Sequence, residues 1–256
     1  MNDEIRLYKR VGFDGFFTHF NCDIESLKQT AREEGMIYQS LHAPWDMTAK
    51  MWEDAGEAGE AGTRELIGYV ETCAKHEIEL MISHVYVGFD HQAVPTELGL
   101  SRYGRVIERA AELGVNIAFE NTEGLECLDA ILKEYKSCKN VGFCLDTGHE
   151  MCYNYNVDLL ALYGDKLIAT HFNDNLGIKD YNGVTTYHDD FHLLPFDGAA
   201  DWNDIAARIV KCGFSGPLTF ELGNKRGYSH LSTEEFLDEQ YKRACRLAMM
   251  INRLNK

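Results

Sequence analysis

VGFCLDTGH, residues 141–149, reads as a buried strand that stops on an acid. Five apolar or small residues lead into Asp146, and His149 follows three positions later. A short apolar run bounded by turn residues fits a strand buried on both faces, as in a parallel sheet. Polar side chains are costly at such an end unless they cap the next helix or belong to a site. The rest of the chain decides between these two.

The same pattern recurs in both directions from this stretch. Candidate strands are VGFDGFF (11–17), MIYQSLH (36–42), ELMISHV (79–85), VNIAFE (115–120), VGFCLD (141–146), KLIATHF (166–172) and PLTFEL (217–222). Helical periodicity fills the intervals near 24–34, 63–76, 97–113, 124–136, 156–163, 202–212 and 233–254. The last helix begins STEE, a capping box in which Ser232 and Glu235 satisfy first-turn amides. Alternating strands and helices mean parallel pairing with right-handed crossovers. An eighth strand, short and irregular and seventh in order, must lie within 186–198 if the sheet closes. No linker and no second composition interrupts the chain, so residues 1–256 are expected to be one domain.

Two segments read as long loops beyond strand ends. One is WDMTAKMWEDAGEAGEAG (45–62), expected to be a mobile lid; the other spans 173–201. Long loops in a compact domain are commonly functional.

Composition narrows the class. The hydrophobic fraction of 45% is that of a globular protein. No run of eighteen apolar residues exists, so no membrane span is expected, and the opening MNDEIRLYKR lacks the apolar core of a secretory signal. A cytoplasmic location follows. The eight cysteines are scattered without a CxxC pair and read as reduced, packed thiols. The formal net charge of −16 weighs against a nucleic-acid partner, whose affinity would rest on many Lys and Arg contacts.

Nearly every strand end carries a metal-competent side chain. His42 ends the second, His84 the third and Glu120 the fourth. Asp146 and His149 end the fifth, His171 the sixth, Asp190 and His192 fall in the 186–198 region, and Glu221 ends the last. Each alone has a plainer reading: a hydrogen-bonded histidine, a helix cap, a solvated carboxylate. Together, several carboxylates on one rim would repel and be driven to neutrality. A divalent cation removes that penalty. Glu120, Asp146, His171 and Glu221 make a hard set suited to Mn²⁺, Mg²⁺, Co²⁺ or Zn²⁺. His149, Asp190 and His192 make a more zinc-like set, and His42 and His84 complete a third with Glu120 as a bridge, or bind substrate hydroxyls. One to three metals per chain are expected. Trp45, Phe89 and Phe172 are candidate apolar walls for a sugar, and Lys225 and Arg226 candidate grips for a phosphate.

The motifs ENTEG (120–124), LDTGH (145–149), HFNDN (171–175) and DDFHLLPFDGAADW (189–202) resemble those of the xylose-isomerase-like barrels. That group includes the sugar phosphate isomerases and epimerases, inosose dehydratases and metal-dependent apurinic endonucleases. The resemblance implies a (β/α)₈ barrel with metal on Glu120, Asp146, His171 and Glu221, and substrate contact at His149. Ketose epimerases carry an arginine shortly after the sixth-strand histidine, where this chain has Gly177. The DxH of Asp190–His192 matches the endonucleases better.

The first expectation is therefore an isomerase or epimerase of a sugar, sugar phosphate or polyol. Glu120 and Glu221 would move a proton beside a carbonyl through an enediolate. The alternatives are phosphodiester cleavage at abasic DNA, dehydration on the same scaffold, or sugar binding without catalysis. The oligomeric state is not legible.

Overall fold

The computed structural model describes residues 1–90, 92–178, 185–223 and 227–255. It divides into two compact units, one from residues 1–10 and 14–142, the other from 11–13 and 143 onward.

The first unit opens with α1 (Asn2–Val11). It continues β1 (Gly15–His19), α2 (Ile24–Glu34), β2 (Ile37–His42), α3 (Thr48–Glu53) and α4 (Glu57–Lys75). Then come β3 (Leu80–His84), α5 (Glu97–Leu113), β4 (Asn116–Glu120) and α6 (Leu125–Glu134). Its strands pair in chain order and in parallel: β1 with β2, β2 with β3, β3 with β4. The second unit carries β5 (Val141–Asp146), whose first two residues still belong to the first. After it come α7 (Thr147–Cys152), α8 (Leu159–Tyr163), β6 (Leu167–His171), α9 (Trp202–Lys211) and α10 (Thr233–Leu254). β5 pairs in parallel with β6, and all six residues of β5 are buried.

The helix ends follow the local chemistry. Asp23 caps α2 through Ser26 N, and Thr96 caps α5 through Gly99 N. Gly35 and Gly114 end these helices in the left-handed conformation. Ser232 and Glu235 form the expected capping box on α10.

Three expectations are corrected. The first strand is Gly15–His19 rather than 11–17, because α1 runs through Val11 and Gly12 turns the chain at φ +121°. That glycine lies against Tyr241, whose ring a Cβ would meet at 2.7 Å.

The 45–62 segment is not a loop. It holds α3 and the start of α4, with Met51 and Trp52 buried. Its glycines serve close packing: a Cβ on Gly59 would meet Arg102 Nη1 at 2.1 Å. Arg102, 1% exposed, donates to the carbonyls of Met51 at 3.0 Å and Asp54 at 2.6 Å and to Glu60 Oε1 at 3.0 Å. Trp52 Nε1 donates to Val85 O at 2.7 Å. A segment held this way is an anchor, not a lid.

Finally, 217–222 forms no regular strand among the described residues, while 186–198 is short and irregular as expected. Leu193 makes one antiparallel bridge with Asp174, and Phe220 one parallel bridge with Phe172. Beside Phe220, the Thr170 hydroxyl takes over ladder duty, accepting from Thr219 N at 3.1 Å. No described helix is long and apolar enough to cross a membrane.

Candidate metal centre

Strand register brings the polar ends level within each unit. His19 lies opposite His42, His84 opposite Glu120, and Asp146 opposite His171. In a parallel ladder, level residues project to the same face.

In the first unit, His42, His84 and Glu120 converge, each offering a ligand atom within 4.8 Å of the others. His42 Nδ1 lies 2.8 Å from the Ala43 carbonyl oxygen. A carbonyl only accepts, so Nδ1 donates to it and Nε2 is left for Glu120. Nε2 lies 3.2 Å from Glu120 Oε2, and His84 Nε2 is 3.4 Å from the same oxygen. A carboxylate and an imidazole lone pair at this distance repel unless a proton or a cation sits between them. Glu120 is fully buried, so water does not relieve it. Trp45 packs on this group, 5.4 Å from His42 and 5.5 Å from His84 between ring centroids.

The second unit repeats the device. His192 Nδ1 donates to the Glu221 carbonyl at 3.1 Å, and its Nε2 faces Asp190 Oδ2 at 2.6 Å. His149 Nε2 approaches the same oxygen at 3.1 Å. These three residues again offer ligand atoms within 4.8 Å of one another. Burial acts against the Asp190 charge, but His149 and His192 hold its carboxyl well below the usual range. Burial also opposes the His192 charge, yet Asp190 pushes its pKa up to about 10. The proton held there is what a cation would displace.

Asp146, His171 and Glu221 form the other set of this unit, with ligand atoms within 4.8 Å of one another. His171 Nδ1 is 3.0 Å from Glu221 Oε2. Asp146 has both oxygens committed: Oδ1 accepts from His149 N at 2.7 Å, and Oδ2 from Asn173 Nδ2 at 2.7 Å. The cap reading and the site reading of Asp146 are thus both realised. The donor sets fit divalent metal: two imidazoles and a carboxylate suit zinc, two carboxylates and an imidazole a harder ion.

Phe172 takes the core role usual for an aromatic at a strand end, fully buried against Trp202 and Phe220. Lys225 and Arg226 lie outside the described residues. His19 was missed, although it ends its strand as His42 does. Its ring lies 5.2 Å from His42 and 5.9 Å from Trp45. The FFTH pattern (16–19) carried the signal, hidden by placing that strand too early.

The chain spans about half the length of the curated relatives it matches. A probable endonuclease 4 of Cenarchaeum symbiosum is 30% identical over 134 residues, 48% of this chain and 46% of the relative. Among solved structures, an L-ribulose 3-epimerase is similar in fold at 14% identity, with a TM-score of 0.73 over 98% of this chain and 89% of the other. An IOLI protein with a bound zinc atom is similar at 18% identity, with a TM-score of 0.75 over 99% and 94%. Residues 5–247 match the sequence pattern of the xylose isomerase-like TIM barrel family, and the chain, an α/β protein of that fold, belongs to it.

Proposed function

We propose that this chain, as one barrel domain, is a divalent-metal-dependent isomerase or epimerase of a small sugar, sugar phosphate or polyol. The observation that carries the reading is the convergence of Asp146, His171 and Glu221 within the second unit. Glu120, the fourth ligand that the family resemblance implies, lies in the first unit with His42 and His84. Bound there, a divalent cation would polarise a substrate carbonyl and offset charge on the neighbouring oxygens.

The chain's own residues do the rest. Glu221, its side chain 15% exposed and held by His171, takes the proton beside the carbonyl. Return by a second group to the opposite face gives epimerisation, and return by Glu221 itself to the neighbouring carbon gives isomerisation. His149 holds a second cation with Asp190 and His192 and orients substrate hydroxyls from there. The eight free cysteines fit a reducing, cytoplasmic setting.

A second reading is hydrolysis of a phosphodiester. The two histidine-rich groups favour it, since they provide for more metal than proton transfer needs. Incubation with ketoses, aldoses and their phosphates in deuterated water separates the readings. The first requires exchange of a carbon-bound hydrogen. Incision of an abasic duplex without any sugar exchange would instead select the second.

A further inference from the structure

The segment that carries Asp190 and His192 is wound around one buried carboxylate. Asp174 is fully buried, and its two oxygens accept four hydrogen bonds. Oδ1 takes Asn175 N at 2.8 Å and Ala200 N at 3.0 Å. Oδ2 takes Phe196 N at 3.0 Å and Trp202 Nε1 at 2.8 Å. The Asp174 backbone completes the hold: its N–H donates to Leu193 O at 2.8 Å, and Leu193 N donates back at 2.9 Å. Leu193 is the residue after His192.

The same segment contains two non-glycine residues in the left-handed region, His192 at φ +47° and Phe196 at φ +75°. Such conformations persist only where surroundings over-determine them. Gly198 shows how tightly the chain wraps, since a Cβ there would meet Asp174 Oδ1 at 2.2 Å. No regular ladder fixes this stretch; the hydrogen bonds to Asp174 hold it, together with single bonds from Gly223 N to His192 O, from Leu194 N to Tyr228 Oη and from Ala199 N to Asn175 O.

We propose that Asp174 is the positioning residue of the Asp190–His192 pair. Its carboxylate sets the path of 193–200, and the bridge to Leu193 passes that path to His192, whose Nε2 then meets Asp190 Oδ2. This rests on reading His149, Asp190 and His192 as a metal-binding group.

Asp174→Asn is the direct variant. It keeps the shape but turns an N–H₂ toward two N–H donors that the carboxylate now satisfies. Gly198→Ala reaches the same contact from the other side and serves if Asp174→Asn does not fold. Trp202→Phe removes one of the four donors and controls for general loosening. Metal-free protein is titrated with Co²⁺, followed by calorimetry and visible absorption. Wild type should take up an equivalent that Asp190→Asn lacks. Asp174→Asn or Gly198→Ala should bind that equivalent roughly tenfold or more weakly, the scale for groups that orient metal ligands. The remaining uptake should be unchanged, and Trp202→Phe should lower the melting temperature while keeping both. If Asp190→Asn binds Co²⁺ as wild type does, the metal reading of the group is wrong and the proposal falls with it. If Asp190→Asn loses the equivalent but Asp174→Asn and Gly198→Ala keep it at full affinity, the metal reading stands and the positioning role is overturned. Equal loss in Trp202→Phe would also overturn it, by showing loosening rather than positioning.

Discussion

At the scale of single residues, acid–base work and metal holding can be separated. Glu221→Gln keeps the side-chain shape and an oxygen toward His171 but loses the basic charge. Turnover should fall by about 10²-fold or more, the scale of a lost general base. Metal content should fall only in part, because Asp146 and His171 remain. Wild-type hydrogen exchange in that variant would remove Glu221 from the mechanism. His149→Asn tests the neighbouring group, and the expected result is loss of one equivalent of metal, read by elemental analysis. Intact metal with a raised KM would instead make His149 a substrate contact alone. Most of these residues were legible in sequence because a charged side chain ending an apolar run has few cheap explanations. What sequence did not show is which carboxylate plays which part. Asp174 and Asp190 look alike in the string, yet one accepts four N–H groups and the other faces two imidazoles.

Among the elements, helices with clear caps were legible to the residue: 24–34, 97–113 and 233–254 appear with those bounds. The α3–α4 segment was not, because its Gly and Ala content reads as loop until the partners are known. Gly59 there faces Arg102 and Gly62 faces Met47, and Gly99 of α5 faces Trp52, so these glycines are packing surfaces. Two substitutions separate packing from propensity. Gly99→Ala places a Cβ 2.1 Å from the Trp52 ring and should destabilise by about 1–3 kcal/mol. Gly68→Ala, in the middle of α4 with nothing within 4 Å, should stabilise by roughly 1 kcal/mol through helix propensity. Urea denaturation of both measures the contrast; equal signs would refute the packing account. Arg102→Met should cost about 3 kcal/mol, since it strands the carbonyls of Met51 and Asp54 that Arg102 now satisfies. A loss below about 0.5 kcal/mol would mean that the segment is not anchored through Arg102.

For the whole molecule, alternation of strand and helix was enough to give the fold class, and periodicity fixed six strands. The seventh and eighth positions were placed, the seventh as short and irregular, but how far each shortens to a single bridge was not legible, because the Thr170 and Asp174 side chains supplement the backbone pairing there and no periodic pattern reports that. Metal should couple to stability, because a ligand bound only by the folded chain raises its melting temperature. Chelator treatment should therefore lower that temperature and abolish hydrogen exchange on any sugar substrate; an unchanged melting curve would argue against a bound ion. The most direct test of the central claim is crystallographic. Crystals grown with Zn²⁺ or Mn²⁺ should show an anomalous peak at the metal's absorption edge within bonding distance of Asp146, His171 and Glu221. A map with no peak at those three side chains, in crystals that hold the ion elsewhere, would contradict the account.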